Sequence, residues 1–161
     1  MRPAITRLDA RFDDWPGLLD LILSSFAYMN GVIDPPSSAL ALTPDSLAAK
    51  ARAEIVFLAS GADGELLGCI FCRPEPPTCL YIGKLAVLPQ AQGQGLGRDL
   101  MQRAEGVARG MGLPALRLET RIELTGNHLR FGRMGFQVTA EGRHKGFDRT
   151  TFIEMHKAIA G

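Results

Sequence analysis

The chain has 161 residues, of which 46% are hydrophobic and 22% charged, and its formal net charge is +1. That balance belongs to an ordinary globular protein and excludes a disordered one, while the near-neutral charge, without a dense Lys/Arg run, leaves no footprint for nucleic acid or an anionic membrane. No stretch approaches the roughly 18 apolar residues of a membrane span, and the opening MRPAITRLDA lacks the apolar run of a leader, so the expectation is a soluble, cytoplasmic protein forming one domain over residues 1–161.

Ala4 to Leu8 is a short candidate strand. Asp13 and Asp14 precede Trp15-Pro16, an acidic cap with proline in the first turn, and open a helix expected to run from Asp14 to Asn30 with Trp15, Leu18, Leu19, Ile22, Phe26 and Met29 on one side. Val32 to Leu42 holds Asp34-Pro35-Pro36 and reads as a loop with a stiff middle. Thr43-Pro44-Asp45 opens a second helix to about Arg52. Glu54 to Ala59 and Glu65 to Cys72 read as strands joined by a turn containing Asp63-Gly64, and Arg73 to Pro77 as a connection. Cys69, Cys72 and Cys79 are odd in number and lie in apolar, strand-like sequence. Residues three apart on a strand point to opposite faces, so Cys69-x-x-Cys72 is packing rather than half a metal site, and no metal is expected.

Tyr81 to Leu88 is an apolar strand that stops at Pro89. After it come Gln92-Gly93-Gln94-Gly95-Leu96-Gly97 and an amphipathic helix with Leu96, Leu100, Ala104, Ala108 and Met111 inward. A helix start has unpaired N–H groups and partial positive charge, and glycines before it let the backbone close on a ligand, so the stretch is a pyrophosphate cradle in outline. It is not a Walker loop, which needs Gly-Lys-Ser/Thr. It is not a dinucleotide fingerprint either, because Arg98 stands where the third glycine would be. Ala115 to Thr120 alternates as a strand. Thr125 or Asn127 is expected to cap a short helix through Met134, Gly135-Phe136 to begin another strand, Glu141 to Arg149 to be a loop, and Thr150 to His156 to be the last strand.

Gln92-x-x-Gly95-x-Gly97 behind a strand ending Leu85-Ala86-Val87-Leu88-Pro89 resembles the acetyl-CoA motif of the GNAT superfamily of N-acetyltransferases. The element order resembles that fold over the whole chain: an α/β protein with one mixed, mostly antiparallel sheet of six to seven strands and about four helices. The resemblance implies an N-acetyltransferase that binds acetyl-CoA through Leu85, Ala86, Val87, Gln92, Gly93, Gln94, Gly95, Leu96, Gly97, Arg98, Asn127 and Phe131. In that family an asparagine follows the fifth strand, and a helix then carries a tyrosine before a Gly-Phe or Gly-Tyr. Here Asn127 and Gly135-Phe136 match, but Phe131 holds the tyrosine position, and a phenyl ring has no proton to give a leaving thiolate.

An amine resembling a lysine side chain, with a pKa near 10.4, is neutral in only about one molecule in a thousand at pH 7, so the site needs a base or a water chain. Glu119 is the first choice, although a solvated carboxylate paired with Arg117 or Arg121 would look the same. His144 has a suitable pKa, Tyr81 could end a water chain, and His128 and His156 rank lower. Phe26, Tyr28, Asn30 and Asp34, at the end of the first helix and the loop after it, suit a cationic amine. With no added binding module the acceptor is expected to be a small molecule rather than a protein tail. A homodimer is the commonest association on general grounds. A non-catalytic acyl-CoA-binding or sensor protein on the same fold stays open as the alternative, as does, more distantly, a different nucleotide at the glycine turn.

Overall fold

A computed structural model describes residues 3–159. The strands are β1 (Ala4–Arg7), β2 (Ile55–Ser60), β3 (Leu66–Glu75), β4 (Cys79–Val87), β5 (Ala115–Arg121), β6 (Gln137–Gly142) and β7 (Phe152–Ala158). The helices are α1 (Trp15–Phe26), α2 (Pro44–Ala53), α3 (Leu96–Gly110) and α4 (Thr125–Arg133). Among the described residues the strands form a seven-stranded sheet in the order β1-β2-β3-β4-β5-β7-β6. Every neighbouring pair is antiparallel except β4 and β5, and the parallel pair is the one that needs a crossover, which α3 supplies. This is the mixed, mostly antiparallel fold expected from the order of elements.

Strand alternation divides the interior into two cores. Val56, Leu58, Cys69 and Phe71 meet Leu18, Ile22, Leu47 and Ala51 of α1 and α2 on one face. Ile70, Leu80, Ile82, Leu116 and Leu118 meet Leu96, Leu100, Ala104 and Ala108 of α3 on the other. Cys69 and Cys72 fall in different cores, as residues three apart on a strand should, and all three thiols are free and buried. Burial pushes both Cys69 and Cys72 up to about 12, which makes them inert packing.

Several boundaries differ from expectation, each for a local reason. Asp14 does cap α1, accepting from the Gly17 N–H at 3.0 Å, but the helix ends at Phe26 and tightens into a 3₁₀ turn over Ala27–Met29. The Val32 to Leu42 loop contains another 3₁₀ turn, Ser38–Ala41, capped by the Ser37 side chain. Strand β3 continues through Pro74 to Glu75, where the Arg73 to Pro77 connection was expected. Its pairing with β2 stops at Cys72, so the proline sits where one edge is already open. Gly135-Phe136 does not begin β6. The Phe136 N–H reaches the Phe131 carbonyl and the Gly135 N–H that of Gly132, each at 3.0 Å, with Gly135 at φ +102°. Those two bonds close the C-terminus of α4 as a Schellman motif, and the edge-on Phe131–Phe136 contact, 5.9 Å between centroids, is its usual apolar clasp. At the other end Leu124 is the N-cap residue and no side chain caps the helix, so neither Thr125 nor Asn127 takes that role.

One irregularity shapes the site. Phe71 pairs with Lys84 and Cys72 with Ile82, so Gly83 is an extra residue in β4. This bulge reverses the alternation: Leu80 and Ile82 face α3 before it, and Ala86 faces α1 after it.

Candidate functional site

Strands β4 and β5 pair only through Leu80, Tyr81 and Ile82 opposite Leu116, Arg117 and Leu118. Beyond the bulge they diverge, and a cavity of about 190 Å³ opens between them, lined by Lys84, Leu85, Glu119, Arg121, Asn127 and Phe131 among others. A second cavity, about 360 Å³, shares Phe26, Tyr28, Leu85 and Arg130 with the first and reaches Ala86, Val87, Gln92 and Gly97. A third, about 260 Å³, shares Ser38, Glu119, Thr120 and Arg121 with the first and adds Tyr81, His144 and Phe152.

The glycine turn lies at one end of this system. Gly93 and Gly95 have φ of +84° and +79°, a region that L side chains avoid, and Gly95 is the N-cap residue of α3 without any side-chain cap bond. The first N–H groups of α3 are thus left for a ligand, at the positive end of its dipole. Gln92 donates from Nε2 to the Val87 carbonyl at 3.2 Å and pins the turn to the end of β4. Gln94 and Arg98 are exposed, whereas the Leu96 side chain belongs to the core, which leaves only its backbone for binding.

Tyr81, Glu119 and His144, chosen as catalytic candidates from separate parts of the chain, all line the third cavity. Their environments differ. The Glu119 carboxylate accepts from Arg117 Nη1 at 3.0 Å, and Arg117 is itself clamped by Glu75 through bonds of 2.8 and 2.9 Å. The hydrogen bonds from Arg117 hold the Glu75 carboxyl below its usual range. Tyr81 lies beneath the Arg117 and Arg73 guanidinium groups, 4.3 and 5.0 Å from its ring centroid, and burial raises its pKa, so its hydroxyl is a neutral donor. His144 Nδ1 is 2.6 Å from Thr151 Oγ1, which also accepts the His144 backbone N–H at 2.8 Å. Burial, reinforced by Arg121, lowers the pKa of His144 below 6.5, so its ring is neutral near pH 7.

The acceptor-side expectations divide. Phe26 and Tyr28 line the first two cavities, and the Tyr28 hydroxyl accepts from Asn127 Nδ2 at 3.2 Å. Asn30 lines none of the three. Asp34 does not either: its carboxylate pairs with Arg149 at 3.1 Å and its N–H donates to Glu123 Oε2 at 3.1 Å, so it latches the loop rather than presenting charge to an amine. His128 Nε2 donates to the Arg121 carbonyl, 2.9 Å away, and His156 Nδ1 lies 2.6 Å from Thr139 Oγ1; neither histidine lines the three cavities. Sequence reading passed over Arg130, which lines the first two cavities and donates to Asn127 Oδ1 at 3.0 Å. Its i, i+3 spacing from Asn127 was a signal. Lys84, a lone charge within an apolar strand, was another. No group of His, Cys, Asp and Glu among the described residues is arranged to hold a metal ion, and no described helix is long and apolar enough to cross a membrane.

A model of the acetyltransferase (GNAT) family matches residues 15–136, well over half of the chain. Among solved structures, a nourseothricin acetyltransferase is 26% identical with a TM-score of 0.62, over 67% of this chain and 66% of that one. A GNAT family acetyltransferase from Elizabethkingia anophelis with acetyl-CoA bound aligns at a TM-score of 0.70 and 20% identity, over 98% of this chain and 99% of that one. A PaiA N-acetyltransferase from Thermoplasma acidophilum in complex with coenzyme A reaches a TM-score of 0.77 at 17% identity, over 96% and 99%. The last two are likenesses of fold.

Proposed function

The chain belongs to the GNAT acetyltransferase family, and on that premise we propose that it transfers the acetyl group of acetyl-CoA to a primary amine of a small molecule, with both substrates bound together. The observation that carries this reading is the gap between β4 and β5, which joins the glycine turn at one end to the Glu119–His144 cavity at the other. The residues present fit acetyl-CoA. Unpaired N–H groups at the start of α3 suit its pyrophosphate. The open edge of β4 over Leu85, Ala86 and Val87 suits the amides of the pantetheine arm, which can pair with backbone as an added strand does.

In this reading the neutral amine attacks the thioester carbonyl, a C–N bond forms, and the C–S bond breaks. A backbone N–H of β4 stabilises the oxyanion. His144 takes the amine proton: in the tautomer whose Nδ1–H donates to Thr151, its Nε2 lone pair is left for the cavity. Glu119, held by Arg117 Nη1, orients the amine. The leaving thiolate needs little help. A thiol pKa near 8.5 lies only about 1.5 units above pH 7, roughly 2 kcal/mol, which water can supply, so a phenyl ring at Phe131 is tolerable.

Calorimetric titration with acetyl-CoA, with ATP as the control, followed by thiol release over an amine panel, tests the proposal. Binding that ATP does not mimic and amine-dependent CoA release are expected. Absence of acetyl-CoA binding would overturn the proposal.

A further inference from the structure

Given the transferase reading above, the charge around the acceptor cavities narrows the acceptor. Acetyl-CoA carries its negative charge on the pyrophosphate and ribose phosphate, and its thioester end is neutral. Cations that face the thioester end therefore have no counterpart in the cofactor. Three cations line the gap: Arg121, Lys84 and Arg130, of which Arg130 also lines the cavity that reaches the glycine turn. Arg121 lines the cavities on both sides of Glu119. Its guanidinium donates to the carbonyls of Pro35 at 2.5 Å and Pro36 at 3.2 Å, which occupies two of its five N–H groups and cancels none of its charge. No carboxylate among the described residues lies within ion-pair distance of it; Asp34 and Glu123 attract it from farther away and are both paired with Arg149. Lys84 lines the gap as well, but it pairs with Phe71 and its charged neighbours are Lys50 and Glu54, so its charge belongs to the α2 face and Arg121 is the cation beside Glu119. Burial lowers the pKa of Arg121 and outweighs the attraction of Glu123 and Asp34. Among the described residues, the one carboxylate lining either cavity, that of Glu119, is already held by Arg117. Thr120, which lines both cavities, has a buried Oγ1 with no hydrogen-bond partner, as has Glu123 at Oε1, so the wall around Arg121 holds polar atoms that the protein itself does not satisfy.

We propose that the acceptor carries a carboxylate beside its amine, and that the Arg121 guanidinium pairs with this carboxylate while the amine lies against Glu119 and His144. Arg121 and Glu119 stand two residues apart on β5, about 6.6 Å along a strand, a distance that a compact amino acid spans with a hydrogen bond at each end. Arginine suits the task because its planar fork matches a carboxylate in two parallel bonds.

The experiment compares α-, β- and ω-amino acids with their carboxamides in the wild-type protein, reading CoA thiol release, alongside acetyl-CoA affinity by calorimetry. The free acids are expected to exceed their amides by at least about tenfold in kcat/KM. Arg121→Gln should bring that ratio near one without changing acetyl-CoA affinity, and Arg121→Lys should retain part of it. Amides or simple amines turned over as well as the acids would overturn the inference, as would no turnover of either series with acetyl-CoA bound. Should Arg121→Gln fail to fold because the Pro35–Pro36 loop loses its donor, the wild-type ratio and Arg121→Lys still decide. Failure of the transferase reading itself shows differently, as missing acetyl-CoA binding.

Discussion

His144 illustrates how the surroundings of a single side chain set its charge state. Phe152 and Phe147 stand edge-on to its ring at 5.4 and 6.3 Å, Arg121 adds positive charge, and the neutral imidazole is favoured. A depressed histidine pKa means that the proton-accepting form persists as pH falls through 6.5 and is lost only below it. The acid limb of kcat, which reports groups in the bound complex, is accordingly expected at a pKa under 6.5. His144→Gln should remove that limb and lower kcat about a hundredfold. A limb that survives in His144→Gln and disappears in Glu119→Gln would give the proton to Glu119 instead. Phe131 is a different kind of residue. Its ring clasps Phe136 across the end of α4 and also lines the gap. Phe131→Ala should weaken acetyl-CoA binding and destabilise the helix end together, and Phe131→Tyr should change turnover less than tenfold. A larger gain in turnover with tyrosine would mean that an acid is missing rather than unneeded.

At the level of elements, the start of α3 separates what the fold needs from what a ligand needs. Gly95 sits at φ +79°, so Gly95→Ala should cost about 1–2 kcal/mol of stability from backbone strain alone. Gly97 is helical, and a Cβ there would meet nothing nearer than Val87 Cγ2 at 3.9 Å, an ordinary contact. The free protein has no need of glycine at 97. Gly97→Ala should therefore hold or raise the melting temperature, yet weaken acetyl-CoA, because the residue lines the cavity beside the turn. Unchanged acetyl-CoA affinity in Gly97→Ala would mean that the cofactor does not approach this turn closely. The strand–glycine turn–helix unit was legible in the sequence because it is contiguous: its parts follow one another within a few residues. The strands and helices were legible through their apolar periodicity. What escaped was set by distant partners. The path of β3 through Pro74 depends on where β2 stops, and the engagement of Asp34 depends on Arg149, 115 residues away. Catalytic candidates were found one by one, but only folding brings Tyr81, Glu119 and His144 to one cavity.

Across the whole molecule the sheet consists of two hydrogen-bonded halves, β1-β2-β3-β4 and β5-β7-β6, joined by the short ladder of Leu80–Ile82 and by α3, which packs on β3, β4 and β5. The open part of that junction is where the proposed acetyl-CoA lies, so the ligand fills a gap in the sheet rather than resting on its surface. Two consequences can be measured. By mass action, acetyl-CoA at a hundred times its Kd adds about 2.7 kcal/mol to stability. In a protein of this size that corresponds to a rise of roughly 5–10 °C in melting temperature, and ATP should produce none of it. General stabilisation protects every amide that exchanges through global unfolding. A ligand bridging the halves should in addition slow the amides of Lys84 to Val87 that face the gap, which have no strand partner on that side in the free protein. Hydrogen exchange with and without acetyl-CoA distinguishes the two. A shift in melting temperature with no added protection along this part of β4 would place the cofactor elsewhere. Protection confined to the gap and the first turn of α3 would mean that the molecule completes its sheet by binding its substrate.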